Sequence, residues 1–185
     1  IQEQLKKYMP INSGSTPPDI DGAYLVNPDV LVYTSDGQYY VGYVFGDITI
    51  RFSGQNSVTN VITWEEKQGS SSATSDEVSI SGFSDNFTAY FNTKGKRDDN
   101  VTTYKTATLV SGTVTSSGIK NLTYAFVMLE KNDPNKILMA VGAYRICKDG
   151  NGLASNTTWT SVKSAMIKGL GESFLQSETS NQINP

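Results

Sequence analysis

Asn86-Phe87-Thr88-Ala89-Tyr90-Phe91 sets Phe87, Ala89 and Phe91 on one side of an extended chain and Thr88 and Tyr90 on the other. Successive strand side chains point to opposite faces, so this alternation describes a sheet wall with one dry and one wet face, as in a barrel or a sandwich. The same pattern runs from Ile20 to Cys147. Short runs rich in Val, Ile, Thr, Tyr and Phe are broken about every 8–14 residues by Gly, Asn, Asp or Ser, as in consecutive antiparallel strands. Strands are expected near 22–27, 29–34, 39–45, 48–53, 58–66, 77–82, 86–92, 102–115, 121–131 and 136–147, several of them merging to leave about eight.

Phase and turns refine this plan. Tyr39, Val41, Tyr43 and Phe45 are the apolar odd positions of 39–45, but after Gly46-Asp47 the even positions Ile48, Ile50 and Phe52 take over. A one-residue slip turns every side chain over, so a turn or bulge is expected at Gly46. Ser35-Asp36-Gly37 and Asn132-Asp133-Pro134-Asn135 read as hairpin turns. Segments 122–129 and 137–146 are apolar on both faces and need an outer cover. The C-terminal stretch offers one: Val162, Met166, Leu170 and Phe174 form a helical stripe over 161–176, with Thr160 or Ser161 as N-cap.

At the other end, residues 1 to 9 carry helix formers with Ile1 and Leu5 on one face, and Pro10 ends the run. Residues 10 to 20 hold three prolines and read as an extended linker. The tail from Ser177 is polar and reads as disordered. The expected division is a short helix and linker over 1–19, one β domain over 20–176, and a tail over 177–185.

Composition excludes much chemistry. The 185 residues fit one domain, and they include no histidine and a single cysteine. Histidine-based catalysis, histidine-ligated metals and intrachain disulfides are therefore ruled out. Net charge is −3. The most basic run, Lys94-Gly95-Lys96-Arg97, is cancelled by Asp98-Asp99, so nucleic acid is not an expected partner. No stretch approaches the ~20 apolar residues of a membrane helix. The chain starts at Ile1 rather than Met, from which a removed N-terminal segment is expected. Sequons at Asn86, Asn100, Asn121 and Asn156 are the chance product of a chain rich in Asn, Ser and Thr.

Each remaining motif lacks a partner or a spacing. Adjacent carboxylates such as Glu65-Glu66 point to opposite strand faces and cannot by themselves flank a glycosidic bond; they read as a polar strand end near the loop from Gln68 to Ser75, entry of one of them into a cavity beside the neighbours of Trp64 being the alternative. Asp19-x-Asp21-Gly22 and Asp149-Gly150-Asn151 lack the further ligands of a calcium loop and read as Asx turns. Gly95-Lys96 lacks the frame of a phosphate loop. Cys147 ends an apolar strand and reads as a small buried hydrophobe. No cofactor and no metal are expected. The aromatics remain, since tyrosines pointing into a barrel mouth make an amphipathic pocket. Tyr24, Tyr43, Trp64, Tyr90, Tyr124 and Arg145 are the candidate ligand-binding residues.

Meandering strands followed by one helix, with Gly22-Ala23-Tyr24 in the first strand, resemble the calycins, the lipocalin and fatty-acid-binding group, whose opening is Gly-x-Trp. Tyr24 replaces the tryptophan, the threonine-aspartate turn motif is missing, and Arg145 on the last strand is the candidate for the arginine that lies across the first. A second resemblance covers most of the chain. Pro17-Pro18-Asp19-Ile20-Asp21-Gly22-Ala23-Tyr24, Asn86-Phe87-Thr88-Ala89-Tyr90-Phe91, Val110-Ser111-Gly112-Thr113, Ser117-Gly118-Ile119-Lys120-Asn121 and Asp149-Gly150-Asn151-Gly152-Leu153-Ala154 are similar to uncharacterised lipoproteins of gut-dwelling Gram-negative anaerobes. That resemblance implies an acylated cysteine upstream of Ile1 and a periplasmic or outer-membrane location.

The expectation is an all-β, up-and-down, calycin-like barrel of about eight strands with a C-terminal helix, a flattened sandwich being the alternative. Its expected function is non-enzymatic binding of a small apolar or glycan ligand at the bacterial envelope. The alternatives are an envelope interaction protein using the apolar hairpin 122–146, or a carboxylate-only hydrolase.

Overall fold

The computed structural model describes residues 2–75 and 78–159. A helix α1 (Gln2–Tyr8) precedes twelve strands: β1 (Gly22–Val26), β2 (Asp29–Thr34), β3 (Val44–Phe45), β4 (Ile48–Asn56), β5 (Val61–Gln68), β6 (Ser71–Ser75), β7 (Val78–Phe83), β8 (Asn86–Lys96), β9 (Thr103–Thr115), β10 (Gly118–Asn132), β11 (Tyr144–Asp149) and β12 (Leu153–Asn156). They pair antiparallel in the order β12-β1-β4-β5-β6-β8-β9-β10-β11-β2-β3, and β7 joins β5 and β8.

Several short strands are halves of longer ones. Gly22 faces Phe52 and Val26 faces Ile48; past the gap, Asp29 faces Phe45 and Val30 faces Val44. The register never slips, so β1 with β2 and β3 with β4 are two long strands that detour together at Asn27-Pro28 and Gly46-Asp47. The Gly46 break is the one expected from the change of phase. β11 and β12 likewise follow one long strand, β10: Val127 faces Tyr144, and after a slip in register Lys120 faces Leu153. β12 also pairs with β1, Tyr24 facing Asn156. The meander thus curls into a partial ring of eight strands.

Two segments expected as strands are loops. Within 39–45 only Val44–Phe45 pairs, and within 136–147 strand begins at Tyr144. The reason is the same in both. The amide of Tyr43 donates to the Tyr40 carbonyl at 3.0 Å, and that of Ala143 to the Ala140 carbonyl at 3.1 Å. Gly42 (φ 92°) and Gly142 (φ 83°) adopt the left-handed conformation these turns require. β6 and β12 were not expected, because Ser71–Ser75 and Leu153–Asn156 are too polar to show alternation.

The outer cover is α1. Leu5 and Met9 pack with Ala125 and Ile146, joined by Tyr8, Val32, Tyr33 and Leu109. This helix therefore occupies the outer face for which the C-terminal stripe was expected; the helix over 161–176 and the tail over 177–185 lie outside the described residues. The segment after α1 is extended and stitched down. Asn12 donates its amide to Thr88 Oγ1 and its side-chain Nδ2 to the Phe87 carbonyl, both at 2.8 Å. Ser81 Oγ donates to the Asn12 carbonyl at 2.8 Å. Farther on, Gln55 Nε2 donates to the Pro18 carbonyl at 2.8 Å.

Inside the ring, Phe52, Trp64, Phe87 and Phe91 form an aromatic nucleus, with Phe52 and Trp64 centroids 5.6 Å apart and Trp64 and Phe91 5.0 Å apart. Ile20, Tyr24, Val26, Ile50, Ile62, Val110, Ile119, Leu122 and Ala154 fill the space around it. Because Met9 is 2% exposed, Met9→Ala is expected to cost about 2–3 kcal/mol in urea denaturation. A cost below about 0.5 kcal/mol would mean that α1 contributes no packing to the sheet.

Candidate functional site

The strand detours lie side by side and are fastened by one carboxyl group. Asp149, 2% exposed, accepts the amide of Asn27 on Oδ2 and that of Leu153 on Oδ1, both at 3.0 Å. Around it the Gly150 amide donates to the Pro28 carbonyl at 2.8 Å and the Asn121 amide to the Gly152 carbonyl at 2.9 Å. Asn151 Nδ2 reaches the Asn27 carbonyl at 2.6 Å, and Asn27 Nδ2 reaches Asp47 Oδ2 at 2.7 Å. Gly150 is required by proximity: a Cβ there would lie 2.7 Å from Pro28 Cγ. A belt of detours thus crosses four neighbouring long strands, and buried amides that leave the ladder find partners within it.

The packed core runs past the belt: Leu31 on β2 and Cys147 on β11 belong to it together with Val26 on β1 and Ala154 on β12. On the β2 and β11 side is a cavity of about 250 Å³, lined by Asp29, Glu66, Arg97, Tyr104, Tyr124, Arg145 and Cys147 among others, and walled by Tyr39, Phe45, Phe126, Met128 and Met139. Tyr39, Tyr43 and Phe45 form an aromatic triangle, with centroids 4.5 Å (Tyr39–Tyr43), 5.1 Å (Tyr39–Phe45) and 4.9 Å (Tyr43–Phe45) apart.

Two carboxyls give the cavity its chemistry. Asp29 is 1% exposed, and its Oδ1 accepts the Tyr124 hydroxyl at 2.8 Å. Burial pushes its pKa up to about 7; the Tyr124 hydrogen bond pulls the other way, and the charges of Asp149 and Asp47 add to the rise. Glu66 is also pushed up to about 7, by burial first and by the charge of Asp29 second. Burial raises the Cys147 thiol and the phenols of Tyr104 and Tyr124 well above their ordinary values, so these three stay neutral.

The arginines are engaged elsewhere. Arg145 Nη2 donates to Asp36 Oδ2 at 2.8 Å and Gln38 Oε1 at 2.6 Å, and its guanidinium lies 4.9 Å from the Tyr39 ring centroid. Asp36 is raised by burial, but hydrogen bonds from Thr34, the Gln38 amide and Arg145 outweigh this and hold it below the usual range. Arg97 turns its Nε toward Asp98 at 3.9 Å. Neither Arg97 Nε nor Arg145 Nε has a hydrogen-bond partner. Among the described residues, no three His, Cys, Asp or Glu side chains converge as a metal site.

Of the residues singled out from sequence, Tyr124 and Arg145 line the cavity and Tyr43 packs beside it. Tyr24 is in the core, its hydroxyl donating to the Ile20 carbonyl at 3.1 Å. Trp64 is fully buried in the aromatic nucleus, and Tyr90, 38% exposed, faces outward. Asp29, Arg97, Tyr39 and Tyr104 were not singled out. A signal existed for the carboxyls: Glu66 continues the inward row Ile62, Trp64 along β5, whereas Glu65 pairs outward with Arg51, and Asp29 precedes inward Leu31 by two positions on β2. Comparisons with protein-family models, with curated proteins and with solved structures match nothing to this chain.

Two outcomes follow from the buried carboxyls. Asp149→Ala leaves the Asn27 and Leu153 amides without their acceptor and is expected to cost about 3 kcal/mol, read by urea denaturation; a loss under about 1 kcal/mol would remove its role as a fastener. Asp29 holds a proton in the native state between pH ~4 and ~7 that the unfolded chain releases, so stability falls as pH rises through that window. Asp29→Asn should remove about 2–4 kcal/mol of the difference between pH 4 and pH 8; an unchanged slope contradicts the assignment.

Proposed function

We propose that this protein is a non-enzymatic binding module of the bacterial envelope. Its curled sheet acts as a calycin-like barrel, with a cavity beside its packed core, and takes a small ligand with an apolar or sugar-like body. The observation that carries this reading is the cavity itself. Ionisable and aromatic groups converge on space left unfilled directly beside a core packed with Phe52, Trp64, Phe87 and Phe91. Its 250 Å³ lies just under the roughly 300–1,000 Å³ of common small-molecule sites, which suits a ligand of monosaccharide or small arylalkyl size. The resemblance to envelope lipoproteins supports attachment through a lipid upstream of Ile1, with α1 and the extended segment over 10–20 lying between anchor and sheet.

A second reading rests on the two hairpin ends. Tyr40 (72% exposed), Val41 (64%), Ile137 (48%) and Val141 (59%) present apolar surface to solvent, which suits an envelope protein partner touching the hairpin 122–146.

Native mass spectrometry of protein purified from its own host tests the preferred reading. A retained small molecule is expected, and it should be lost in Cys147→Phe, which fills the cavity from β11. A Cys147→Phe variant that folds and keeps the same bound mass would place the ligand elsewhere and contradict the proposal.

A further inference from the structure

We propose that the ligand of this cavity carries a protonated amine, held by the carboxyls of Asp29 and Glu66, with its organic body against the rings of Tyr39, Phe45, Tyr124 and Phe126. This inference rests on the binding-module reading and names the chemistry of its ligand.

A carboxyl taken out of water must be paired, hydrogen-bonded or neutral. Asp29 has one phenol for company. Glu66, half-buried on the inward row of β5 and lining the cavity, is pushed up by burial and by the charge of Asp29. No basic side chain lowers either group, although two arginines line the same cavity. Arg145 spends its charge on Asp36, at 2.8 Å, and its face on Tyr39. The Arg97 side chain, 36% exposed, leans toward Asp98. Among the described residues, none supplies a counter-charge to these two acids. A primary ammonium supplies it, with three donors for the carboxyl oxygens, and aromatic faces attract a cation that has left water.

Burial holds Tyr104, Tyr124 and Cys147 neutral, Arg97 and Arg145 are permanently charged, and the charges of Asp149 and Asp47 add to the rise of Asp29. Asp29 and Glu66 ionise near pH 7, so amine binding strengthens as pH rises from 6 to 8. The rival occupant is an anion on the unpartnered Nε atoms of Arg97 and Arg145; its binding would weaken over the same range.

Isothermal titration of the full chain with phenethylamine, 2-phenylethanol and hexanoate, each at pH 6 and pH 8, separates these cases. Phenethylamine is expected to bind at pH 8, to weaken about tenfold at pH 6 as the carboxyls take up protons, and to weaken at least about tenfold in Glu66→Gln and in Asp29→Asn, each checked for native stability. Equal binding of the alcohol and the amine, unaffected by either variant, overturns the amine inference and leaves the binding module standing. Preferential binding of hexanoate overturns it in favour of an anion. No binding of any of the three at millimolar concentration overturns the amine inference, while the binding module stands or falls on the mass-spectrometric test.

Discussion

The Asp149 carboxyl, buried and accepting one amide from Asn27 and another from Leu153, is the interaction on which the architecture depends. Long antiparallel strands coil smoothly unless something breaks them, and each break strands backbone donors and acceptors that must be satisfied within the protein. Here the breaks coincide. The detours at Asn27-Pro28, Gly46-Asp47 and residues 149–152, with the irregularity at Asn121, exchange hydrogen bonds with one another. A defect spread over four strands becomes a belt with its own network.

Phe52, Trp64, Phe87 and Phe91 meet edge to face or tilted at the centre of an apolar core that many further side chains complete. Beside it the inward rows continue into polar residues, Trp64 giving way to Glu66 and Leu31 preceded by Asp29. Taking carboxyls out of water costs stability. The aromatic nucleus and the α1 cover offset that cost, which leaves the cavity free to keep groups that packing alone would replace with Leu or Val. Stability and chemistry are thus carried by adjoining parts of one sheet, Tyr124 and Cys147 belonging to both.

The sequence carried the all-β class, the antiparallel meander and the break at Gly46, because alternation and phase are local signals. It misled where apolar residues served turns. Val41-Gly42 and Val141-Gly142 look like strand interiors, yet each glycine supplies the backbone freedom of a tight turn. It was silent where pairing is made by polar residues, as in β6 and β12, since a ladder needs amides and not hydrophobic side chains. Leu5 and Met9 cover the outer face at Ala125 and Ile146 from the N-terminus, while the C-terminal stripe expected as a cover lies outside the described residues. For the site, Tyr124 and Arg145 were legible as inward residues of apolar strands. Asp29 was not singled out and Glu66 was weighed only as one of an adjacent pair, although both lie in register with inward rows, because a charged residue on an inward position reads as a strand end until the neighbouring strands are known.

Asp29 and Glu66 line a cavity beside the packed core and, among the described residues, have no basic partner. Carbon-detected NMR titration of side-chain carboxyls, assigned through Asp29→Asn and Glu66→Gln, measures this directly. The account predicts midpoints for both groups near 7, well above the roughly 4 of an ordinary carboxyl. Midpoints near 4 for both would show that the groups are solvated or paired, and would contradict it.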